Sequence, residues 1–205
     1  MQRILRDLRI FRIFEGANDI LRLFVALTGL QSLGAELKPV QAAMKNPLGN
    51  LGTLFPVALE MGKAKLGMPT KPSLGWAHSS MGSGASAVEE ATAHFGAGAR
   101  ELLMKHGKGI IDQQVHLERV ADCIIDLTSA TASLSRATRA VNEGSPTAEH
   151  EAELANAWAL QAARRVHSNV DLFTGAVEEV DTAKLRIADK VFAAEGHATT
   201  HPLGM

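Results

Sequence analysis

The stretch that decides the fold runs from Ile110 to Asn142 and reads IIDQQVHLERVADCIIDLTSATASLSRATRAVN. Its core-forming positions recur at steps of three and four residues: Leu117, Val120, Ile124, Leu127, Thr131, Leu134, Thr138 and Val141. This spacing is typical of one face of a long amphipathic α-helix. Gly144 is a residue type that commonly ends a helix. We therefore predict a helix over about 110–142 with one face in a core.

The sequence on both sides repeats this helical pattern. Gly107–Gly109 ends a preceding helix, Ser145 and Pro146 suit a helix start, and Asp181 begins a last helix. The apolar positions are Val88, Phe95, Leu102 and Leu103 in the first of these helices, Leu154, Trp158, Ala162, Val166 and Val170 in the next, and Leu185, Ala188 and Phe192 in the last. Because short connections favour antiparallel neighbours, we predict an all-α fold in which residues 87–205 form an antiparallel bundle of about four helices.

Composition supports this fold class and excludes some functions. Apolar residues make up 46% of the chain, whereas aromatic residues make up 4% and tyrosine is absent, a mixture that suits packed helices better than sheets. The 21 basic and 22 acidic residues nearly cancel, so overall charge gives no indication of nucleic-acid binding. The single Cys123 cannot form an internal disulfide, which favours a reducing compartment.

Residues 36–86 differ from the helical regions. Five of the seven prolines and many glycines lie here, which predicts a poorly ordered, mobile linker. The segment is nevertheless apolar and carries Lys63, Lys65 and Lys71, a mixture typical of a weakly ordered stretch that binds a membrane surface. A disordered connector that happens to be apolar remains the alternative. The sequence has no uninterrupted run of about 18 apolar residues, so a membrane-spanning helix is not predicted.

Residues 1–35 form the first block. Glu15-Gly16-Ala17-Asn18-Asp19 precedes a helical apolar pattern, so we expect Glu15 in a turn at a helix N-terminus. The arginines at positions 3, 6, 9 and 12 also fit a mitochondrial transit peptide, which is the alternative for residues 1–14.

Several kinds of catalytic site find no support. The phosphate-binding, dinucleotide-binding and serine-nucleophile glycine motifs are absent from the sequence. None of the eight histidines has a glutamate three residues before it, and His197 with His201 is expected in a frayed end, so no metal site is predicted. Glu118 and Asp122 are one helical turn apart, which a solvated helix face explains without chemistry.

One constellation remains, and it carries a resemblance. Arg6-Asp7-Leu8-Arg9-Ile10 followed by Phe14-Glu15-Gly16-Ala17-Asn18-Asp19 resembles the end of the catalytic domain in acyl-CoA dehydrogenases, without a gap. Further stretches resemble the very-long-chain members of that family: Met44-Lys45-Asn46-Pro47-Leu48-Gly49-Asn50, Leu134-Ser135-Arg136-Ala137, Pro146-Thr147-Ala148-Glu149-His150-Glu151 and His201-Pro202-Leu203-Gly204. The resemblance implies the end of the catalytic helical bundle in residues 1–35, the linker in 36–86 and an appended helical domain after it.

The resemblance also implies a reaction and its residues. Acyl-CoA dehydrogenases use FAD to introduce an α,β double bond into fatty acyl-CoA thioesters. Glu15 matches the base that removes the α-proton, and Gly16 matches a position that lies against the substrate. Ala17, Asn18 and Asp19 match cofactor-binding positions, although most relatives have threonine at the Ala17 position. In the family, several hundred residues that precede this segment build the flavin site and most of the acyl pocket, so the chain is expected to be a fragment that does not retain FAD by itself.

The implied partners are a long-chain acyl-CoA, the electron-transfer flavoprotein, a second copy in a homodimer and the inner mitochondrial membrane, to which the enzyme would be peripheral on the matrix side. Two other functions stay open at this point. One is a non-catalytic helical interaction or assembly module, a role that a paralogue has in respiratory complex I assembly. The other is a peripheral membrane protein that uses residues 36–86.

Overall fold

The apolar periodicity of the sequence becomes a set of long helices in a computed structural model. The structure describes residues 2–44, 48–52, 55–56, 58–59, 62, 71–175, 179–196 and 199. Its α-helices are α1 (Gln2–Ile10), α2 (Asn18–Met44), α3 (Gly82–His106), α4 (Gln114–Asn142), α5 (Ala148–Thr174) and α6 (Glu179–Ala193). Short 3-10 helices cover Leu48–Asn50, Ser79–Met81 and Gly107–Asp112. No strand occurs in these described ranges, and the predicted all-α fold is confirmed.

The chain divides into two compact units, Met1–Thr174 and Gly175–Met205. Four α-helices lie between Gly82 and Ala193 in the described part of the chain, close to the predicted bundle of residues 87–205, but α6 belongs to the second unit. In the first unit the helix that joins α3, α4 and α5 is α2, which packs mainly on α4. The sequence pattern could count the helices but could not assign their partners. The domain boundaries at residues 35 and 86 stay predictions.

Helix α2 extends further than the sequence indicated. The prolines of residues 36–86 predicted a poorly ordered stretch there, but α2 passes through Gly29, Gly34 and Pro39 and ends at Met44. Pro39 removes one N–H donor from the helix, a cost that tertiary packing can outweigh, and Ala43 beyond it is buried. Helix α3 begins at Gly82, a few residues before the expected start, directly after the 3-10 helix Ser79–Met81.

Small residues bring the helices of the first unit close together. Helices α4 and α5 are antiparallel: Trp158 Nε1 donates to Ser129 Oγ over 3.2 Å, and Arg136 Nε donates to Glu151 Oε2 over 3.3 Å. Helices α3 and α5 run parallel, and a Cβ on Gly98 of α3 would lie 2.7 Å from Val170 Cγ1 of α5. Since such a distance is too short for carbon atoms, this crossing depends on glycine.

Two apolar clusters form the core of the first unit. One lies entirely between residues 81 and 162 and joins α3, α4 and α5 through alanines, with Met81, Val88 and Leu134 as its larger members. The other contains Ala26 and Leu30 of α2 together with Leu102, Val120, Val166 and Phe173. The helix that follows the Glu15 turn therefore shares a core with the bundle of residues 82–174.

Helix α2 meets one criterion that the sequence analysis did not anticipate. Between Asn18 and Pro39 it is long and apolar enough to cross a membrane by length and composition, and 11% of that window is buried. Packed core helices of water-soluble proteins and signal sequences pass the same test. Ala26 and Leu30 lie inside the core, whereas Ile20 and Phe24 are 64% and 66% exposed, so α2 has one packed and one open face.

The predicted linker is described only in part. Residues 45–47, 53–54, 57, 60–61 and 63–70 lie outside the described residues, and these include Lys63 and Lys65. The same holds for His197, His201 and the Pro-Leu-Gly ending. Among the described linker residues, Leu51, Phe55 and Leu59 are exposed. Lys71 is not a free cation, because its Nζ lies 2.7 Å from Glu90 Oε1.

Candidate functional site

The predicted turn lies between α1 and α2. After α1 ends, the N–H groups of Ile13 and Phe14 donate to the carbonyl of Ile10 over 2.9 and 3.2 Å. The Phe11 and Phe14 rings stack with their centroids 5.4 Å apart. The N–H of Asn18 then donates back to the carbonyl of Arg12 over 3.1 Å, which closes a loop around residues 13–17. The turn that the sequence predicted is present.

Two consecutive residues of this turn have left-handed backbones. Glu15 has φ 55° and Gly16 has φ 106°. Glycine adopts such angles freely, but a glutamate at positive φ costs on the order of 1–3 kcal/mol and is most often found at functional sites. A Cβ at position 16 would also lie 3.2 Å from Leu21 Cδ2.

The turn lies on an open apolar surface. Glu15, Gly16, Asn18 and Asp19 are exposed, and Ala17 is partly buried. Large apolar side chains around it are also exposed: Ile4, Leu5, Leu8, Ile10, Phe11, Ile13, Phe14, Ile20, Leu21 and Phe24. Many exposed large apolar side chains along one stretch of chain indicate a ligand or protein contact.

The five predicted site residues are contiguous at the start of α2. Asn18 and Asp19 lie in its first turn, and the carbonyl of Ala17 accepts from the N–H of Leu21 over 3.0 Å. A helix N-terminus leaves backbone N–H groups without intrahelical partners and carries a partial positive charge, which favours anionic or oxygen-rich ligands. The assignment of these residues to base, substrate and cofactor stays a prediction.

An ion-pair cluster that the sequence analysis missed lies next to the turn. Arg22 Nη2 is 3.1 Å from Asp122 Oδ1, and Arg22 Nη1 is 3.7 Å from Glu118 Oε1. Glu118 is exposed, as expected for a solvated helix face, whereas Asp122 is half-buried. Burial raises the pKa of Asp122 most, Glu118 and Asp126 raise it further, and Arg22 and Arg165 oppose this. A lone arginine within the apolar pattern of α2 was the available signal.

A second ion pair lies one turn further along α4. Asp126 is 4% exposed and accepts two hydrogen bonds from the guanidinium of Arg165, one of them from Nε over 2.9 Å. The Arg165 guanidinium also lies over the Trp158 ring, 5.0 Å from its centroid. A planar arginine satisfies both carboxylate oxygens at once, so this pair fixes α5 against α4.

Cys123 and the pair of His94 and His167 are two further titratable sites in the bundle. Cys123 is buried, and burial followed by the charges of Asp126 and Asp122 raises the pKa of its thiol to about 12, which excludes a thiolate nucleophile near neutral pH. His94 Nδ1 lies 2.7 Å from His167 Nδ1, and burial lowers the pKa of His94. Within the described part of the chain, no group of three or more His, Cys, Asp or Glu side chains could hold a metal ion.

Comparisons with known proteins find relatives whose sequences match most or all of this chain. The very-long-chain specific acyl-CoA dehydrogenase of Rattus norvegicus, named as mitochondrial, is 44% identical over 171 residues, which cover 83% of this chain and 26% of the relative. The Mus musculus protein of the same name is 39% identical over 208 residues, covering 100% of this chain and 32% of the relative. The chain thus spans about a quarter to a third of the length of these relatives.

A solved structure shows the same fold. An acyl-CoA dehydrogenase complexed with FAD from Bacillus anthracis superimposes with a TM-score of 0.61 at 22% identity, over 91% of this chain and 28% of that one. Residues 79–197 match the family described as ACAD9/ACADV, C-terminal domain. That region contains α3 to α6, so more than half of the chain is assigned by it, and the chain belongs to the ACAD9/ACADV C-terminal domain family.

Proposed function

We propose that this chain is the C-terminal part of a FAD-dependent acyl-CoA dehydrogenase that acts on long and very-long-chain fatty acyl-CoA thioesters in mitochondrial β-oxidation. The observation that carries the proposal is the strained, exposed Glu15–Gly16 turn, which opens onto an apolar surface at the start of α2. The relatives at 39–44% identity bear the name of this activity.

Glu15 would act as the base that removes the α-proton of the thioester. Its carboxylate is exposed on this chain, so an acyl chain lying on the apolar surface around Phe14 and Leu21 can approach it. The N–H of Glu15 would donate a hydrogen bond to the thioester oxygen, where negative charge develops as the proton leaves. Gly16 leaves room for the substrate because it has no side chain.

The residues at the start of α2 fit one edge of a flavin. Ala17, Asn18 and Asp19 would hold it through backbone N–H groups and the polar side chains of the first helical turn. When bound, FAD accepts the hydride that leaves the β-carbon. Ala17 has no hydroxyl to donate, so one hydrogen bond of about 0.5–1.5 kcal/mol is missing relative to a threonine.

The experiment that tests this function measures flavin reduction in the holoenzyme that carries this sequence. Under anaerobic conditions palmitoyl-CoA should bleach the flavin absorbance, since the α-proton and the β-hydride can both leave. The control substrate, 2,2-dimethylpalmitoyl-CoA, has no α-hydrogen and should leave the absorbance unchanged. Equal bleaching by the two substrates, or none by palmitoyl-CoA, would contradict the proposal.

The proposal includes the location and partners of the enzyme. It would pass electrons to the electron-transfer flavoprotein, form a homodimer and lie on the matrix side of the inner mitochondrial membrane. The exposed side chains of Leu51, Phe55 and Leu59 favour membrane contact through residues 36–86. The Phe55→Asp variant should bind cardiolipin-containing vesicles more weakly than the parent in flotation assays. Phe192→Asp, an equally exposed phenylalanine in α6, is the control, and equal flotation of both variants would count against this part.

A further inference from the structure

We propose that Arg22 is a positioning residue whose ion pairs with Glu118 and Asp122 hold the Glu15 turn in place on the helical bundle. The inference rests on the proposed function, because it concerns the turn that would carry the base. It assigns to the bundle of residues 82–174 a role in the geometry of the catalytic turn, beyond its own stability.

Arg22 is the side chain nearest the turn, along α2, that reaches the bundle. Every described residue from Gln2 to Leu21 is exposed except Ala17, which is partly buried. Arg22 is the fourth residue after Asn18, which corresponds to about 6 Å of helix rise. The apolar contacts of α2 come later along the helix, at Leu23, Ala26, Leu27 and Leu30. Arg22 therefore lies between the turn and the apolar contacts of α2.

The geometry of the ion pairs resists rotation and sliding of α2. The two terminal nitrogens of Arg22 contact carboxylates that are one turn apart on α4. Nη1 lies 3.7 Å from Glu118 Oε1, and Nη2 lies 3.1 Å from Asp122 Oδ1. Because one guanidinium contacts two carboxylates at once, a shift or rotation of α2 against α4 would lengthen at least one of these contacts. Gly29 adds a close approach further along, since a Cβ there would lie 3.1 Å from Ile124 Cδ1.

Three acidic residues on α4 form a row, and arginines from the two helices that flank α4 pair with it. Glu118, Asp122 and Asp126 follow one another at intervals of one turn. Arg22 of α2 reaches the first two, and Arg165 of α5 holds the third. Like charges repel at this spacing, and the arginines of the two helices that flank α4 offset this repulsion. Asp122, between its two acidic neighbours, depends most on Arg22.

The experiment uses the full 205-residue chain. Arg22→Gln should make the backbone N–H of Asn18, which closes the turn onto Arg12, exchange with solvent about two- to fivefold faster, the range expected for an ion pair of this exposure. Carboxyl-carbon NMR should show a higher pKa for Asp122 in the same variant, because the largest opposing charge is gone. Arg22→Lys should restore the pKa of Asp122 towards the parent value.

The control is Arg139→Gln. Arg139 lies at the far end of α4 and pairs over 2.8 Å with Glu143, just beyond that helix. This pair is more exposed than the pair of Arg22 with Asp122, and the variant removes it without touching α2. It should leave the exchange of Asn18 and the pKa of Asp122 unchanged. Equal exchange at Asn18 in the Arg22→Gln and parent chains, or an unchanged Asp122 titration, would overturn the proposal. Neither measurement involves flavin or substrate, so a failure here is separate from a failure of the proposed dehydrogenase activity.

Discussion

The Glu15→Gln variant of the holoenzyme that carries this sequence is expected to oxidise palmitoyl-CoA about 10²- to 10⁴-fold more slowly than the parent, the usual contribution of a general base. An amide of the same shape cannot accept the α-proton, while it still fits the exposed turn between α1 and α2. The effect should therefore appear in kcat, with flavin content and the Kd for palmitoyl-CoA close to the parent values. Steady-state turnover with an artificial electron acceptor measures it.

Glu36→Gln is the matched control for that substitution. Glu36 is an exposed glutamate on α2, the helix that follows the Glu15 turn, about five helical turns after Asn18. Its replacement by glutamine removes the same charge and should leave turnover unchanged. If the Glu15→Gln holoenzyme, with its full complement of flavin, turned over at the parent rate, Glu15 would not be the base.

The second large effect concerns the core. Phe173 is fully buried on α5 and lies where a Cβ on Gly98 would come within 3.1 Å of its Cε2 atom. Phe173→Ala should lower the free energy of unfolding by about 3–5 kcal/mol, from lost burial and from the cavity left in tightly packed helices. For a unit of this size the Tm should fall by roughly 6–20 °C. Urea and thermal denaturation followed by far-UV circular dichroism measure both quantities.

Phe192→Ala provides the comparison within the same chain. Phe192 is 78% exposed on α6, so the same atoms are removed from solvent contact and not from a core. Its free energy of unfolding should stay within about 0.5 kcal/mol of the parent. A Phe173→Ala chain that is as stable as the Phe192→Ala chain would show that the packing of α3 on α5 is not the source of stability.

Much of the fold could be predicted because local patterns determine it. The stripe in residues 110–142 predicted α4, which begins a few residues later at Gln114, after the 3-10 helix Gly107–Asp112. Ser145 and Pro146 predicted the start of α5, which begins two residues after Pro146, at Ala148. The continuation of α2 to Met44 was not predicted, because Gly34 and Pro39 were judged by local propensity alone. Ala43, beyond both residues, is buried. Propensity is a weak guide wherever tertiary contacts follow a helix-breaking residue.

The candidate site, too, could be predicted only in part. The glycine and the capping residues after Glu15 predicted a turn, and the turn is present. The left-handed backbone of Glu15 could not be predicted, because non-glycine residues seldom adopt positive φ and no local pattern signals it. The contact of Arg22 with Asp122 was equally hidden. It depends on which helix lies across α4, and a single sequence does not contain that information directly.

The shared core of α2 with α4 and α5 has a consequence for how this chain tolerates insertions and deletions. Ala26 and Leu30 hold α2 on α4 by side-chain packing, and Leu74 and Ala77 before α3 pack on the bundle, so the tether that joins these two segments has both of its ends anchored by packing. Closing a longer tether costs little: each doubling of its length removes only about 0.6 kcal/mol. Homologous chains can therefore diverge widely in the length of that tether while α2 stays seated on α4.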